Sequence, residues 1–276
     1  MRLVPVVGRE ESALSASIAA PLLGATTCDV ATTSDGPVAL FLDVDGTLLD
    51  LADWPGGVVT PAGLVSTLQK AERRLEGALA LVSGRAIDEL DRLFEPLRLR
   101  ASGVHGAEVR FEPDEGPVPA PGAVALPASL WTALTEALRD FPGTFAENKR
   151  FSFAVHYRLA PEAEAPLRER VMRLIEAEPR TAVQVVNAHC ALELKAPGFD
   201  KGSAIAAFLS TLPFRGRKPI FVGDDATDEA GFAVVAARGG YAYSVGPMRP
   251  GAIGAFGEPK AVRDWLAAFA DHGDGA

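Results

Sequence analysis

The chain has 276 residues, of which 48% are hydrophobic and 23% are charged. Its 27 Lys and Arg residues and its 36 Asp and Glu residues leave a formal net charge of −9 at pH 7. This composition excludes fibrous, collagen-like and intrinsically disordered proteins, and the acidic balance disfavours general binding of nucleic acids. The length fits either one large α/β unit or a core domain that contains a smaller inserted domain.

The first 36 residues are rich in Ala, Ser and Thr, and they predict a poorly ordered extension. The apolar stretch over residues 13–25 follows the acidic flank Arg9-Glu10-Glu11, so it does not resemble a signal peptide, and we expect no membrane span. Cys28 and Cys190 lack the spacing of a zinc site. One disulfide is arithmetically possible, but two unpaired thiols in a reducing compartment are the preferred interpretation. We therefore expect a cytoplasmic protein.

The apolar run over residues 38–42 marks the predicted start of the folded core, because such a run is typical of a parallel strand buried on both faces. Helices and strands then alternate: a helix over 60–77, a strand over 78–82, a helix over 86–94 and a strand over 101–104. The alternation returns after residue 197, with helices over 201–209, 226–237 and 259–269 and strands over 219–222 and 241–245. This order predicts a doubly wound parallel sheet of the α/β class, in which ligands bind at the carboxyl ends of the strands.

The alternation is interrupted at residues 112–122, where prolines, glycines and acidic residues predict a linker. Beyond the linker, predicted helices over 127–140 and 161–178 accompany strand-like runs over 151–158, 182–186 and 191–194. Consecutive strands with no helix between them indicate an antiparallel sheet with helices on one face. We therefore expect an α+β cap over residues 113–197, inserted between the two parts of the core, 37–112 and 198–276.

Two clusters of carboxylates each follow a predicted buried strand. Asp43 and Asp45 come directly after the first strand, and Asp224 and Asp228 follow the strand over 219–222. Because the carboxyl ends of parallel strands meet at one rim, these side chains are expected to converge, and carboxylate oxygens without His or Cys suit Mg²⁺. Taken singly, the clusters also fit an acidic surface turn and an acid-rich helix start. An EF-hand calcium loop is excluded, because Leu48 stands where its turn glycine is required.

Two further motifs offer groups for phosphate oxygens. Ser83-Gly84-Arg85 follows the strand over 78–82, and Lys201 lies at the start of a predicted helix. A serine or lysine beside glycine is most often part of a turn or a helix cap, but together these residues place a hydroxyl and a positive charge near a carboxylate nucleophile. A P-loop motif and a strand-linked GxGxxG motif are both absent from the sequence, which disfavours a nucleotide site.

The ordered set FLDVDGT (41–47), VSGR (82–85), FDKGS (199–203) and FVGDDATDE (221–229) resembles the four motifs of the haloacid dehalogenase-like hydrolases. These hydrolases are phosphotransferases with a Rossmann-like core. Within that superfamily, four more stretches are similar to the trehalose-6-phosphate phosphatases: residues 103–108, residues 147–158, residues 192–194 and the acidic run 224–229. The resemblance covers the chain except for about the first 36 residues.

The resemblance implies a Mg²⁺-dependent phosphatase that hydrolyses trehalose 6-phosphate through an aspartyl-phosphate. Asp43 is then the nucleophile, and Asp45 is the general acid and base. The resemblance assigns the metal to Asp43, the backbone carbonyl of Asp45, and Asp224, with Asp225 and Asp228 as further candidate ligands. Its partner is a small phosphorylated disaccharide, and no nucleic acid or membrane is expected.

The resemblance also assigns the substrate contacts. Ser83, with Gly84, and Lys201 hold the phosphoryl oxygens, while Arg85 reaches either the phosphate or the sugar. The cap supplies the sugar contacts: Glu147, Lys149, Arg158 and Glu193.

Alternatives to these assignments remain open. A Lys and a Glu on neighbouring exposed strands also fit a simple salt bridge. His156 fits either the core of the cap or the pocket, and His105, in a Gly-flanked loop near the expected cleft, is a candidate support for the site residues. A phosphatase for sucrose phosphate or a hexose phosphate, or a catalytically silent carbohydrate-binding module, are the alternative functions.

Overall fold

We describe a computed structural model of the chain, which covers residues 36–52, 57–178, 182–188 and 190–271. The predicted N-terminal extension, except for its last residue, and Cys28 lie outside the described residues. Cys190 is a half-buried free thiol. No helix in the described part of the chain has the length and apolar character needed to span a membrane.

Strands and helices alternate along most of the chain. In chain order, the strands are β1 (Val38–Leu42), β2 (Leu79–Val82), β3 (Arg100–Gly103), β4 (Glu108–Arg110), β5 (Val118–Pro119), β6 (Phe145–Asn148), β7 (Ser152–His156), β8 (Gln184–Ala188), β9 (Ala191–Lys195), β10 (Lys218–Gly223), β11 (Tyr241–Val245) and β12 (Gly254–Phe256). The helices are α1 (Leu64–Arg74), α2 (Ile87–Leu93), α3 (Ala128–Ala137), α4 (Glu164–Glu176), α5 (Lys201–Leu209), α6 (Glu229–Ala237) and α7 (Pro259–Asp271).

The larger sheet has the order β12-β11-β10-β1-β2-β3-β4-β5 within the described residues. Every neighbouring pair from β12 to β3 is parallel, and β4 and β5 add an antiparallel edge. All five residues of β1 are buried, as a central strand covered on both faces requires. The helices α1 and α7 pack together, and so do α5 and α6. The predicted doubly wound, Rossmann-like parallel core is confirmed.

The smaller sheet has the order β6-β7-β9-β8 in the described chain, and all its pairs are antiparallel. Alternate residues of β7 and β9 are apolar and form a separate core with residues of α3 and α4, which include Leu130, Leu134, Leu167 and Val171. The fold class is therefore α/β with an inserted α+β cap, as predicted. Since β5 pairs with β4, the larger sheet continues past residue 113. The proposed boundaries of core and cap, at residues 113 and 197, stay a prediction.

Local differences from the sequence patterns have physical reasons. We expected Thr60 and Pro61 to begin α1, but the helix begins at Leu64 after Gly63, and the Thr60 hydroxyl donates to the carbonyl of Leu93 instead. The helix expected over 226–237 begins with the 3₁₀ turn Ala226–Asp228, and α6 follows it. The short strands β4, β5, β6 and β12 were not predicted, because they lack a run of buried apolar residues.

Candidate active site

The turn after β1 lies against the end of β10. The Asp43 amide donates to the carbonyl of Val222 at 2.9 Å, and the Asp43 side chain is buried. Gly46 has a φ of 77°, and a Cβ atom at this position would lie only 2.2 Å from Oδ2 of Asp224. Glycine therefore permits both the left-handed turn and the close approach of the second carboxylate cluster.

Three carboxylates converge at this rim. Ligand atoms of Asp43, Asp224 and Asp228 all lie within 4.8 Å of one another. Burial, together with the neighbouring carboxylates, raises the pKa of Asp224 from 3.8 to about 9 and that of Asp228 to about 8. Such a cluster requires a cation, because buried like charges repel one another strongly.

Lys201 supplies one cation from the first turn of α5. The helix begins with a capping box between Asp200 and Ser203, which fixes the direction in which Lys201 leaves the backbone. Its Nζ donates to Oδ1 of Asp43 and to Oδ1 of Asp228, both at 2.7 Å. Burial lowers the pKa of Lys201, but the attraction of Asp228 and Asp43 is stronger, and the pKa lies well above its ordinary value.

Asp228 organises the loop over residues 224–228, which follows β10. Its Oδ2 accepts from the backbone amides of Asp224 and Asp225, each at 3.0 Å, while its other oxygen accepts from Lys201. Asp225 caps the following turn, since its Oδ1 accepts from the amide and the hydroxyl of Thr227. Asp228 is therefore bound by three donors, whereas the described hydrogen bonds place none on the side chain of Asp224.

Asp45 is held by Arg85 in a two-point ion pair. The Nε of Arg85 lies 2.6 Å from Oδ2 of Asp45, and Nη2 lies 2.7 Å from Oδ1. Ser83 is buried at the end of β2, and its Oγ accepts from the Arg85 amide at 3.1 Å. Ser83, predicted to hold a phosphoryl oxygen, and Arg85, predicted to reach either the phosphate or the sugar, therefore lie together, and Arg85 contacts Asp45.

Three of the four predicted sugar-binding side chains contact the core. Lys149 Nζ donates to the carbonyl of Gly84 at 3.1 Å, and Arg158 Nη1 donates to the carbonyl of Ala52 at 2.6 Å. Oε2 of Glu193 pairs with Nε2 of His105 at 2.9 Å.

The two predicted glutamates have unlike surroundings. Oε1 of Glu193 accepts from Ser152 at 2.6 Å, and the carboxylate is buried. Burial raises the pKa of Glu193, but His105 and Lys149 outweigh it, and the pKa falls well below 4.5. Glu147 lies 3.6 Å from His156, which lowers the pKa of Glu147 to about 2.

A cleft of about 280 Å³ brings these groups together between the two sheets. Of the predicted site residues, twelve line it: Asp43, Asp45, Ser83, Gly84, Arg85, Glu147, Lys149, Arg158, Glu193, Lys201, Asp224 and Asp225. Asp228 is fully buried behind them.

Sequence reasoning did not assign three further groups that contact the site residues. Thr47 lies inside the first motif, and its hydroxyl donates to Oδ2 of Asp43 at 3.2 Å. Arg249 Nε donates to the carbonyl of Asp224 at 3.0 Å, and no pattern in its flanking residues points to that contact. Glu89 follows Arg85 by one helical turn and lies 3.7 Å from its guanidinium. The i,i+4 spacing of Arg85 and Glu89 is the sequence feature from which this contact could be predicted.

Comparison with known proteins places this geometry in a family. A sequence model described as trehalose-phosphatase matches residues 41–250, which is more than half of the chain. The chain belongs to the trehalose-phosphatase family. The match to this family includes all four core motifs and the smaller sheet. As a member of the trehalose-phosphatase family, the protein is an enzyme of the phosphoric monoester hydrolase class.

Individual trehalose-phosphatase relatives agree with this membership. A probable trehalose-phosphate phosphatase of Sinorhizobium fredii (strain NBRC 101917 / NGR234) is 42% identical over 236 residues, which cover 84% of this chain and 87% of the relative. A trehalose-6-phosphate phosphatase of Escherichia coli (strain K12) is 42% identical over 209 residues, which cover 75% of this chain and 77% of the relative. A crystal structure of a trehalose-6-phosphate phosphatase related protein has 26% identity and a TM-score of 0.70, and it covers 85% of this chain and 98% of its own.

Proposed function

We propose that the protein hydrolyses trehalose 6-phosphate to trehalose and inorganic phosphate, with Mg²⁺ and through an aspartyl-phosphate. The observation that carries the proposal is the position of Asp43, bound to Lys201 and beside Asp224, at the bottom of a cleft whose opposite side is one face of the cap sheet. The relatives named for this substrate support the choice of sugar.

The residues present fit a hard divalent cation. The carboxylates of Asp43 and Asp224, with the backbone carbonyl of Asp45, are the proposed ligands, because oxygen donors without nitrogen or sulfur suit Mg²⁺. Asp225 and Asp228 are proposed to support the loop over residues 224–228, since their oxygens already accept from Thr227, Lys201 and backbone amides. When bound, the cation would offset the charge of the carboxylates and of the phosphoryl group.

In the first step, a carboxylate oxygen of Asp43 forms a bond to phosphorus as the bond from phosphorus to the sugar oxygen breaks. Asp45 donates a proton to the departing sugar oxygen. This donation requires the ion pair with Arg85 to open, and we infer that the incoming substrate draws Arg85 toward its own oxygens. In the second step, Asp45 takes a proton from a water molecule, which attacks phosphorus and releases Asp43 and inorganic phosphate.

The phosphoryl oxygens are proposed to lie between Ser83, the Gly84 backbone and Lys201. Two of the three N–H donors of Lys201 contact carboxylates, and the third is proposed for a phosphoryl oxygen. An ester that is itself anionic can approach the carboxylates only where positive charge offsets repulsion. Lys201 and the proposed cation meet that requirement on the side of Asp43.

The sugar is proposed to contact the cap through Glu147, Lys149, Arg158 and Glu193. These are charged side chains on a surface that faces the nucleophile, and a disaccharide requires several donors and acceptors for its hydroxyls. The cap boundaries at residues 113 and 197, and a cytoplasmic location without nucleic-acid or membrane partners, belong to the same proposal.

The test is phosphate release from trehalose 6-phosphate, sucrose 6-phosphate and glucose 6-phosphate, with Mg²⁺ and with chelator. The wild type is compared with Asp43→Asn and with the matched control Asp50→Asn, whose carboxylate is exposed and pairs with Arg263 outside the cleft. We expect Mg²⁺-dependent preference for trehalose 6-phosphate that is lost in Asp43→Asn and kept in Asp50→Asn. Preference for another ester would overturn the substrate assignment, and full activity of Asp43→Asn would overturn the chemistry.

A further inference from the structure

The cap sheet presents one face to the cleft, and strand alternation decides which residues form it. Residues at every second position point toward the cleft, while those between them are buried in the cap core. The cleft face, which we call the cap face, comprises Phe145, Glu147 and Lys149 from β6 and the residue after its end, Ala154 and His156 from β7, and Ala191 and Glu193 from β9.

Charge is concentrated at one end of the cap face. Lys149 contacts the carbonyl of Gly84, and Glu193 pairs with His105 of the core, so this end lies beside the proposed phosphate contacts. Phe145 precedes Lys149 by four residues, which is roughly 13 Å along an extended strand. That distance is close to the length of a disaccharide, so the two ends of the cap face are separated by the span that such a substrate requires.

The other end of the cap face carries an aromatic pair, Phe145 and His156, with the carboxylate of Glu147 3.6 Å from His156. Phe145 is paired across the sheet with His156, which is paired in turn with Ala191. The rings of Phe145 and His156 stack with centroids 4.6 Å apart and an interplanar angle of 16°. Phe145 nevertheless remains 39% exposed, a large exposed fraction for an aromatic ring that lines a cleft.

Small residues lie beside His156 on the cap face. Ala154 and Ala191 lie on the cap face beside His156, where larger side chains would fill the cleft. Among the described residues that line the cleft, Phe145 is the one Phe, Tyr or Trp. Leu51 and Leu159 also line the cleft with exposed side chains, so the same end offers additional apolar surface.

We propose that the ring of Phe145, supported by His156, is the platform for the sugar ring of the substrate that bears no phosphate. The inference rests on the proposed function, and it names the residue that distinguishes a disaccharide phosphate from a monosaccharide phosphate. A pyranose ring carries hydroxyls at its rim and C–H groups on its faces. Charged side chains satisfy the rim, whereas a flat aromatic surface covers a face that would otherwise stay in contact with water.

The test compares kcat/KM for trehalose 6-phosphate with kcat/KM for glucose 6-phosphate, which lacks the second ring. Phe145→Ala is expected to lower this ratio about tenfold, mainly through a higher KM for the disaccharide ester. Phe145→Tyr is expected to keep the ratio, because its ring is conserved. The matched control is Met172→Ala, which removes an exposed apolar side chain of the cap outside the cleft. A ratio that is unchanged in Phe145→Ala, or lowered equally in Met172→Ala, would overturn the proposal.

Calorimetric titration with trehalose separates this inference from the proposed function, because it requires no turnover. We expect trehalose to bind Phe145→Ala about tenfold more weakly than the wild type. Equal affinities would overturn the platform even if the wild type prefers trehalose 6-phosphate. A wild type that hydrolyses other esters better would contradict the proposed function, while the trehalose titration would still decide the role of Phe145. Unchanged urea midpoints would show that the variants fold.

Discussion

Replacement of Gly46 by alanine is expected to disturb the carboxylate cluster of Asp43, Asp224 and Asp228 without greatly affecting the fold. The new Cβ would lie 2.2 Å from Oδ2 and 2.5 Å from the carboxyl carbon of Asp224. Ordinary contacts between such atoms are about 3.5 Å, so the carboxylate must move by about 1 Å. A displacement of that size at reacting groups lowers the rate about a hundredfold.

Gly63→Ala provides the matched control for the cost of the backbone conformation. Gly46 has a φ of 77° and Gly63 a φ of 85°, but a Cβ at Gly63 would meet nothing within 4 Å. The left-handed conformation costs an alanine about 1 kcal/mol, so both variants should lose about that much free energy of unfolding. The difference in activity between the two variants therefore isolates the effect of displacing the Asp224 carboxylate.

Two assays decide the outcome. Urea unfolding measures the shared loss of stability, and phosphate release with increasing Mg²⁺ measures the effect on the site. We expect Gly46→Ala to lose about a hundredfold in kcat/KM and to require more Mg²⁺, while Gly63→Ala keeps the wild-type values. Equal activities of the two variants would refute the reasoning that the approach of Gly46 to Asp224 positions the carboxylate.

Three further predictions concern charged side chains. Arg85→Lys cannot form the two-point ion pair with Asp45, and we expect its kcat/KM to fall about tenfold with little change in the urea midpoint; unaltered kinetics would contradict this. Lys201→Met leaves buried carboxylates without their lysine, so the metal-free variant should lose about 3 kcal/mol of unfolding free energy at pH 7. The pKa of Asp228 is about 8 even beside Lys201, so the buried carboxyl is protonated in the folded variant at pH 7, and the stability should recover as the pH falls toward 3.8, where the unfolded chain also takes up the proton; thermal unfolding across pH checks the sign. Burial raises the pKa of Asp91, but hydrogen bonds from the buried Arg110 outweigh it, and the pKa of Asp91 lies below its ordinary value of 3.8. The pair of Asp91 and Arg110 therefore stabilises the fold fully above about pH 3.8, and this contribution is lost as the pH falls through the lowered pKa. Asp91→Asn should therefore lower the free energy of unfolding by about 2 kcal/mol at pH 7 and by much less near pH 2. Urea unfolding of the wild type and the variant at several pH values would show whether the difference in stability decreases in acid.

The central strands were predictable from sequence because burial on both faces leaves a continuous apolar run. The observed bounds of β1 and β11 agree with the runs over 38–42 and 241–245. The rule that parallel strands end at one rim was enough to expect Asp43 and Asp224 near each other, and the structure brings their carboxylates together.

Other features depend on tertiary contacts that leave no local pattern. The strand β6 has exposed and half-buried residues and is fixed by pairing with β7, so its sequence shows no clear alternation. Neither the ion pair between Arg85 and Asp45 nor the hydrogen bond between His105 and Glu193 follows a fixed sequence spacing, because each joins residues from different parts of the chain. His105 also has a φ of 52°, in the left-handed region, and no pattern in the flanking residues predicts this conformation.

The pairing of β1 with β10 has a consequence for synthesis of the protein. Val38 is the partner of Lys218, so the centre of the sheet joins segments 180 positions apart, with the whole cap encoded between them. At ribosomal rates of roughly 5 to 20 residues per second, about 10 to 40 s pass between the synthesis of β1 and the synthesis of its second neighbour, β10. During that interval an apolar strand has one unpaired edge, which is a site for association with other chains. Nascent chains halted before residue 218 should therefore aggregate or engage chaperones, and they should lack the pair formed by Asp43 and Asp224.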